Sequence, residues 1–233
     1  MTTFVLVHGA WHGPWAWDRV ARLLHMAGAR TLTPDLDAAG EGGLHVHAQV
    51  VASALGATHG PGGVVLVGHS YAGLVVREAA DMRPDTVDHI VLIDGWAGAD
   101  GESLFDLAPA PFVNAVRTAA NERGGGRFVP APSPAAFGVT GRADTAWLAR
   151  RLRAQTLASF TEPTRLSGAV DRIPGTAFHC RPRTYPFDAF GAAVGYRTQP
   201  LDAAHDVPLT DPEALAGLLL HTASGRPVQE GET

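Results

Sequence analysis

Three short stretches of the 233-residue chain carry side chains that could together perform acyl transfer. The first is Val67-Gly68-His69-Ser70-Tyr71-Ala72-Gly73, where a buried-looking run, Val64 to Val67, gives way to a helical pattern. This is the pattern of a nucleophile elbow, in which the serine sits on a strained strand-to-helix turn and small neighbours let the backbone pack closely. Ala72 stands where a second glycine is commoner, and its methyl group is still small. At a helix N-terminus, Ser70 would also meet free N–H groups and a dipole that favour developing negative charge. Taken alone, Gly-x-Ser-x-small is a loop pattern; the flanking strand and helix give it chemical meaning.

The second stretch, His8-Gly9-Ala10-Trp11-His12-Gly13, follows the apolar run Phe4 to Val7. A glycine-rich turn there would direct backbone N–H groups toward the strand ends, so Ala10 and Tyr71 are the expected pair of oxyanion donors. The third is Asp202-Ala203-Ala204-His205-Asp206, late in the chain. Its His205 can take the serine proton, because a neutral imidazole titrates near working pH. A solvated loop histidine is the plain alternative.

These stretches need a scaffold that brings distant segments to one edge. Apolar runs read as parallel strands at Phe4–Val7, Ala29–Leu32, Val64–Val67 and Ile90–Ile93, alternating with helices over about 15–26, 46–55 and 72–82. Gly28 supplies one helix stop, and residues 60–63, Gly-Pro-Gly-Gly, supply a turn. From Trp96 to about Ser167 the pattern turns to helical segments broken by Pro and Gly, which reads as a cap. Strands return at 176–180 and 196–201, before a last helix over 212–221 and a polar tail that should fray. The expected organisation is therefore α/β: a mostly parallel six-stranded sheet with helices on both faces and a helical cap insertion. Its core parts are 1–96 and 169–223, the cap 97–168 and the tail 224–233.

Residues 4–17, Gly68-His69-Ser70-Tyr71-Ala72-Gly73, and Asp94-Gly95 with Asp100-Gly101-Glu102-Ser103-Leu104 together resemble the α/β-hydrolase branch of plant methylesterases, hydroxynitrile lyases and their bacterial relatives. The likeness covers nearly the whole chain. It implies the α/β-hydrolase fold, a helical cap over the serine and no cofactor. By matching motif it puts the nucleophile on Ser70, the base on His205 and the oxyanion donors on Ala10 and Tyr71.

One departure concerns the acid. The family usually carries it after the strand before the last, where this chain reads His179-Cys180-Arg181-Pro182-Arg183-Thr184-Tyr185 without a carboxylate. Asp188 lies further on, entering a helix, and Asp206 adjoins His205, where a sequence neighbour seldom points back at the ring. Asp94 ends the neighbouring strand and is the favoured acid, with a Ser–His dyad lacking any acid close behind. Missing acids cost protease triads about 10⁴-fold, so the dyad reading implies a slow hydrolase or different chemistry.

Other features limit the choices. The net charge is −5 and the 18 positive residues, all Arg, are scattered, so no basic surface awaits nucleic acid. Without lysine, no Schiff base can form. The single Cys180 cannot form an internal disulfide. Met1 runs straight into a β-rich segment, with no basic leader and no apolar span of the ~18 residues a membrane helix needs. A cytoplasmic enzyme is expected, with a small-molecule substrate and, as a possible further partner, a second copy of itself; neither nucleic acid nor membrane is expected. His45 and His47 could suggest a metal, but nothing near completes a ligand set, and an exposed helix face is the expected setting. Trp11, Trp96, Phe105 and Phe112 could line an apolar pocket or be plain core.

The leading expectation is a cofactor-independent hydrolase of esters or thioesters with an apolar or aromatic part. The alternatives are a lyase, decarboxylase or cyclase on the same scaffold, and a ligand-binding protein without turnover. A cyanohydrin lyase is disfavoured, because those relatives use a lysine beside the base where this chain has Asp206.

Overall fold

A computed structural model describes residues 1–39, 41–58 and 62–224 of the chain. Its main sheet has six strands in the order β2-β1-β3-β4-β7-β8. They are β1 Thr3–Val7, β2 Arg30–Leu32, β3 Val64–His69, β4 His89–Ile93, β7 Gly175–Cys180 and β8 Arg197–Leu201. Every pairing between them is parallel. Their carboxyl ends therefore share one edge, where parallel α/β sheets place their ligands.

The central strands are apolar throughout because both faces are covered. Alternate residues enter different cores: Val5, Val7 and Leu66 pack on one face with α2 (Leu44–Gly56) and α3 (Ala72–Met82). Phe4, Leu6 and Val67 pack on the other with α1 (Asp18–Met26) and α10 (Pro212–Ala223), meeting Trp17, Leu24, Leu215 and Leu219. A fully buried side chain of this size contributes about 1.5–3 kcal/mol, so the two layers fix the sheet between them.

Two expectations need correction. The helix placed over 15–26 begins as a 3-10 turn, Pro14–Trp17, and becomes α-helical only at Asp18. The helix carrying His45 and His47 is not an exposed one: α2 packs on α3 and buries Leu44, His47, Ala48, Val51 and Leu55. Of the expected turn at 60–63, Gly60 and Pro61 lie outside the described residues, as does the tail beyond residue 224.

Between β4 and β7 lie α4 (Leu104–Leu107), α5 (Ala110–Arg123), α6 (Arg142–Ala149) and α7 (Ala158–Thr161). A short antiparallel pair, β5 Phe128–Val129 with β6 Gln155–Thr156, joins them, where helices alone were expected. The Arg153 guanidinium also reaches Asp35 and Asp37 on the loop after β2. The short helices α8 (Phe187–Ala193) and α9 (Val207–Thr210) complete the chain. Among the described residues no helix is long and apolar enough to cross a membrane.

Candidate active site

The chain turns tightly at Ser70, where its flanking glycines have no room for a side chain. Ser70 itself has φ +54°, a conformation L-residues rarely adopt. A Cβ at Gly73 would lie 2.2 Å from the Trp96 carbonyl oxygen, and one at Gly68 would lie 2.8 Å from that of Ala72. Two hydrogen bonds hold the turn: Ser70 N–H donates to Ile93 O at 3.0 Å and Trp96 N–H to Ser70 O at 3.1 Å. Strand β3 thus delivers the serine to the sheet edge and α3 departs behind it.

His205, on the loop after β8, brings Nε2 to 3.1 Å from Ser70 Oγ and Nδ1 to 2.8 Å from Asp94 Oδ2. Asp94 leaves β4 with φ +44°, and its Oδ1 accepts from Cys180 N–H at 2.7 Å. The carboxylate is 1% exposed, so both oxygens have defined partners in a dry setting. The imidazole has a definite tautomer: Nδ1 must donate to the carboxylate, which leaves the Nε2 lone pair facing the serine hydroxyl. Asp188 does not reach the ring; it pairs with Arg183. The thiol of Cys180 is buried and free, with its pKa pushed up by burial and by the adjoining Asp94 charge.

Ala10 and Tyr71 flank Ser70, and among the described residues neither N–H has an acceptor within the protein. The loop after β1 is held from the cap. Trp11 has φ +64°, its N–H donates to Gln155 Oε1 at 3.1 Å, and its indole N–H donates to Val129 O at 3.0 Å. On the other side the Tyr71 hydroxyl lies 2.8 Å from His47 Nδ1. His47 is thereby a buried partner of the elbow, its pKa lowered to about 4 by burial and then by His8. His45 meets Glu78 instead, at 2.7 Å. Trp11, Ser70 and Asp94 are the non-glycine residues with positive φ among those described, and all three lie at this site. Such conformations cost of order 1–3 kcal/mol each and persist only where surrounding contacts impose them.

Above the serine lies a cavity of about 520 Å³, with Trp11, Trp96, Phe112, Phe137, Phe160 and Tyr185 in its walls and Ser70 and His205 at its polar point. Trp11, Trp96 and Phe112 line this cavity. Phe105 does not line the cavity; its chain neighbour Leu104 does, and Phe105 packs behind on Phe160 with Arg117 over its ring. Sequence reading passed over Phe137, Phe160, Tyr185 and Phe187. The first two stand in broken helical segments without periodicity; Tyr185 ends the stretch His179–Tyr185, whose salient feature is its missing carboxylate, and Phe187 lies two residues beyond it. Phe137 and Phe187 both stack near-parallel to His205, at 6.5 Å and 5.8 Å between centroids, and restrict the ring's rotation.

A parallel sheet of this order, a serine on a strand-to-helix turn and a facing histidine define a class of enzyme, and comparison with known proteins agrees. The profile described as the alpha/beta hydrolase family matches residues 4–218, and the chain belongs to that family. A carbendazim-hydrolysing esterase from Nocardioides sp. (strain SG-4G) is 29% identical over 93% of this chain and 97% of its own. Methylesterase 2 of Arabidopsis thaliana is 34% identical over 40% of this chain and 39% of its own. Among solved structures, an extracellular alpha/beta-hydrolase from a Paenibacillus species superposes with a TM-score of 0.84 at 21% identity, over 94% of this chain and 98% of that one. The protein is an esterase-type member of the alpha/beta hydrolase family.

Proposed function

We propose that the protein hydrolyses esters or thioesters with an apolar or aromatic part, using Ser70 as nucleophile, His205 as general base and acid, and Asp94 as the acid that orients His205. Ser70 Oγ attacks the carbonyl carbon as His205 Nε2 takes its proton. The N–H groups of Ala10 and Tyr71 hold the resulting oxyanion. The imidazolium, steadied by Asp94, then gives that proton to the leaving alcohol or thiol. The remaining acyl-enzyme is cleaved by a water that His205 deprotonates in the same way, which restores the serine.

The observation that carries this reading is the continuous line Asp94–His205–Ser70, at 2.8 Å and 3.1 Å, opening into an aromatic cavity. The decarboxylase, lyase or cyclase alternative was motivated by the vacant usual acid position, and the Asp94 carboxylate 2.8 Å from His205 Nδ1 supports hydrolysis over it. Relatives named as a carbendazim-hydrolysing esterase and as methylesterases support the reading, and place methyl esters of apolar acids among the substrates to test.

The test is turnover of p-nitrophenyl and methyl esters of graded size, with fluorophosphonate labelling. The parent should be labelled at Ser70 and prefer aryl or branched acyl groups over acetyl. Ser70→Ala should abolish labelling and cut kcat by about 10⁴-fold or more. Ester turnover surviving undiminished in Ser70→Ala sinks the proposal.

A further inference from the structure

Asp206 follows the proposed base directly, and the mechanism does not use it. It is 1% exposed, and Leu209 N–H and Thr210 N–H donate to its backbone carbonyl at the start of α9. Its carboxylate turns away from α9: Oδ2 lies 3.4 Å from His12 Nε2, and the buried Oδ1 has no partner. His12 is 2% exposed and sits on the loop that carries Ala10, with Nδ1 2.8 Å from the Ala10 carbonyl oxygen.

These contacts decide the protonation of the ring. A carbonyl oxygen only accepts, so Nδ1 carries a proton; Nε2 faces a carboxylate, so attraction there requires a second. Burial opposes a charged imidazole. The charge of Asp206, its hydrogen bond and the Ala10 carbonyl outweigh burial and raise the pKa of His12 above 6.5. Asp206 is likewise held below the usual carboxylate value despite burial, by the charge and hydrogen bond of His12. The groups facing the pair are few. From β3 comes His69, kept neutral with a pKa near 3 by burial and then by His205. From the 3-10 turn comes the Trp15 ring at 5.4 Å, and from the cap the Phe137 ring at 5.0 Å.

We propose that His12 and Asp206 form a buried ionic clamp that sets the spacing between the loop bearing the Ala10 N–H and the loop bearing His205, so that donor and base converge on one carbonyl. The clamp spans 194 positions of sequence and joins two loops that no strand pairing connects. His69 completes the hold by donating from Nε2 to the His205 carbonyl at 2.8 Å. Stability alone does not account for the pair. Well-packed apolar residues usually fill such a space as well as or better than a buried ion pair, whereas ions fix a separation. Both are positioning residues, and their role rests on the assignment of Ser70 and His205 given above.

The test compares the full-length parent with Asp206→Leu, His12→Phe and the double variant. Each single change leaves a charge or a polar ring unpaired in the interior and should lower Tm; the double change should bring Tm back. The clamp predicts that kcat of the double variant nevertheless stays about 10- to 100-fold down with KM little changed, the size of effect expected from slight misplacement of reacting groups. It also predicts that parental kcat falls at alkaline pH as His12 loses its second proton, and that this limb is missing from the double variant. A double variant with parental kcat and the same alkaline limb overturns the clamp. If the double variant does not fold, Asp206→Asn keeps the shape and gives the same two readings: a lowered kcat without the limb supports the clamp, and an unchanged profile overturns it. Ser70→Ala separates the two assignments. If it is inactive while the double variant is fully active, only the clamp fails; if it is active, the active-site reading itself fails.

Discussion

Replacing Asp94 by Asn changes one atom and should reverse the tautomer of the base. Oδ1 of Asp94 accepts from Cys180 N–H at 2.7 Å and Oδ2 faces His205 Nδ1 at 2.8 Å. An asparagine must keep its oxygen on the Cys180 N–H, since an NH₂ group there would set donor against donor. Its NH₂ then points at His205 Nδ1, which has to accept, so the ring proton moves to Nε2. That proton faces Ser70 Oγ at 3.1 Å and prevents the ring from acting as a base. The equivalent change in a serine-protease triad costs about 10⁴-fold in kcat with the geometry intact. At ~1.36 kcal/mol per decade this is roughly 5.5 kcal/mol of lost transition-state stabilisation. The assay is kcat and kcat/KM on a p-nitrophenyl ester near neutral pH, with the circular dichroism spectrum and Tm as controls. A correctly folded Asp94→Asn enzyme within tenfold of the parent, in a protein where Ser70→Ala is inactive, would refute the tautomer argument and return the site to a dyad.

Two further outcomes follow from the packing. Gly73→Ala sets a methyl 2.2 Å from the Trp96 carbonyl oxygen, backbone against side chain with nothing flexible to yield, so stability should drop by about 1–3 kcal/mol or more; a Tm within a degree of the parent would contradict this. Acid should destabilise the fold through His47, whose pKa drops from 6.5 in the open chain to about 4 when folded. The unfolded chain then binds the extra proton between these values, so the stability is present above about pH 6.5 and lost as pH falls, about 2 kcal/mol by pH 5 and about 3 by pH 4. Urea midpoints measured from pH 7.5 to 5 check it, and a midpoint as high at pH 5 as at pH 7.5 would count against the burial of a neutral His47.

The sheet was legible because its strands announce themselves twice. Val64 to Val67 is apolar on both faces, and Gly9 just past β1, Gly68 near the end of β3 and Asp94 directly after β4 mark where the chain turns at the sheet edge. The elbow was legible because its two glycines stand in one short motif, although Gly68 is required by the Ala72 carbonyl within the turn and Gly73 by the Trp96 backbone on the loop after β4. The cap was less so. Its short pair β5–β6 involves two residues from each strand, too few for any periodicity, and Gln155 holds Trp11 N–H through a bond that spans 144 positions. His47 misled for the same reason. One polar residue per helical turn reads as an exposed face until a buried hydroxyl, that of Tyr71, proves to be its partner.

The proposed acid, Asp94, is the instructive case, because sheet geometry makes two positions nearly equivalent. In register β3 pairs His69 with Ile93 on β4, and β4 pairs Ile93 with Phe178 on β7, so Ser70, Asp94 and His179 follow one another across the same edge. Neighbouring strands stand about 4.8 Å apart, so a carboxylate leaving β4 and one leaving β7 begin a single strand spacing from each other. Either can meet an imidazole that descends from the loop after β8. What β4 additionally requires is a turn at Asp94 sharp enough to swing the side chain over the edge, and its φ of +44° supplies that turn. The end of β7 keeps a share of the task without a carboxylate, since Cys180 N–H holds the second oxygen of Asp94. A vacant acid position in the sequence of such a protein is therefore weak evidence for lost catalysis, and the end of the adjoining strand is the first place to search.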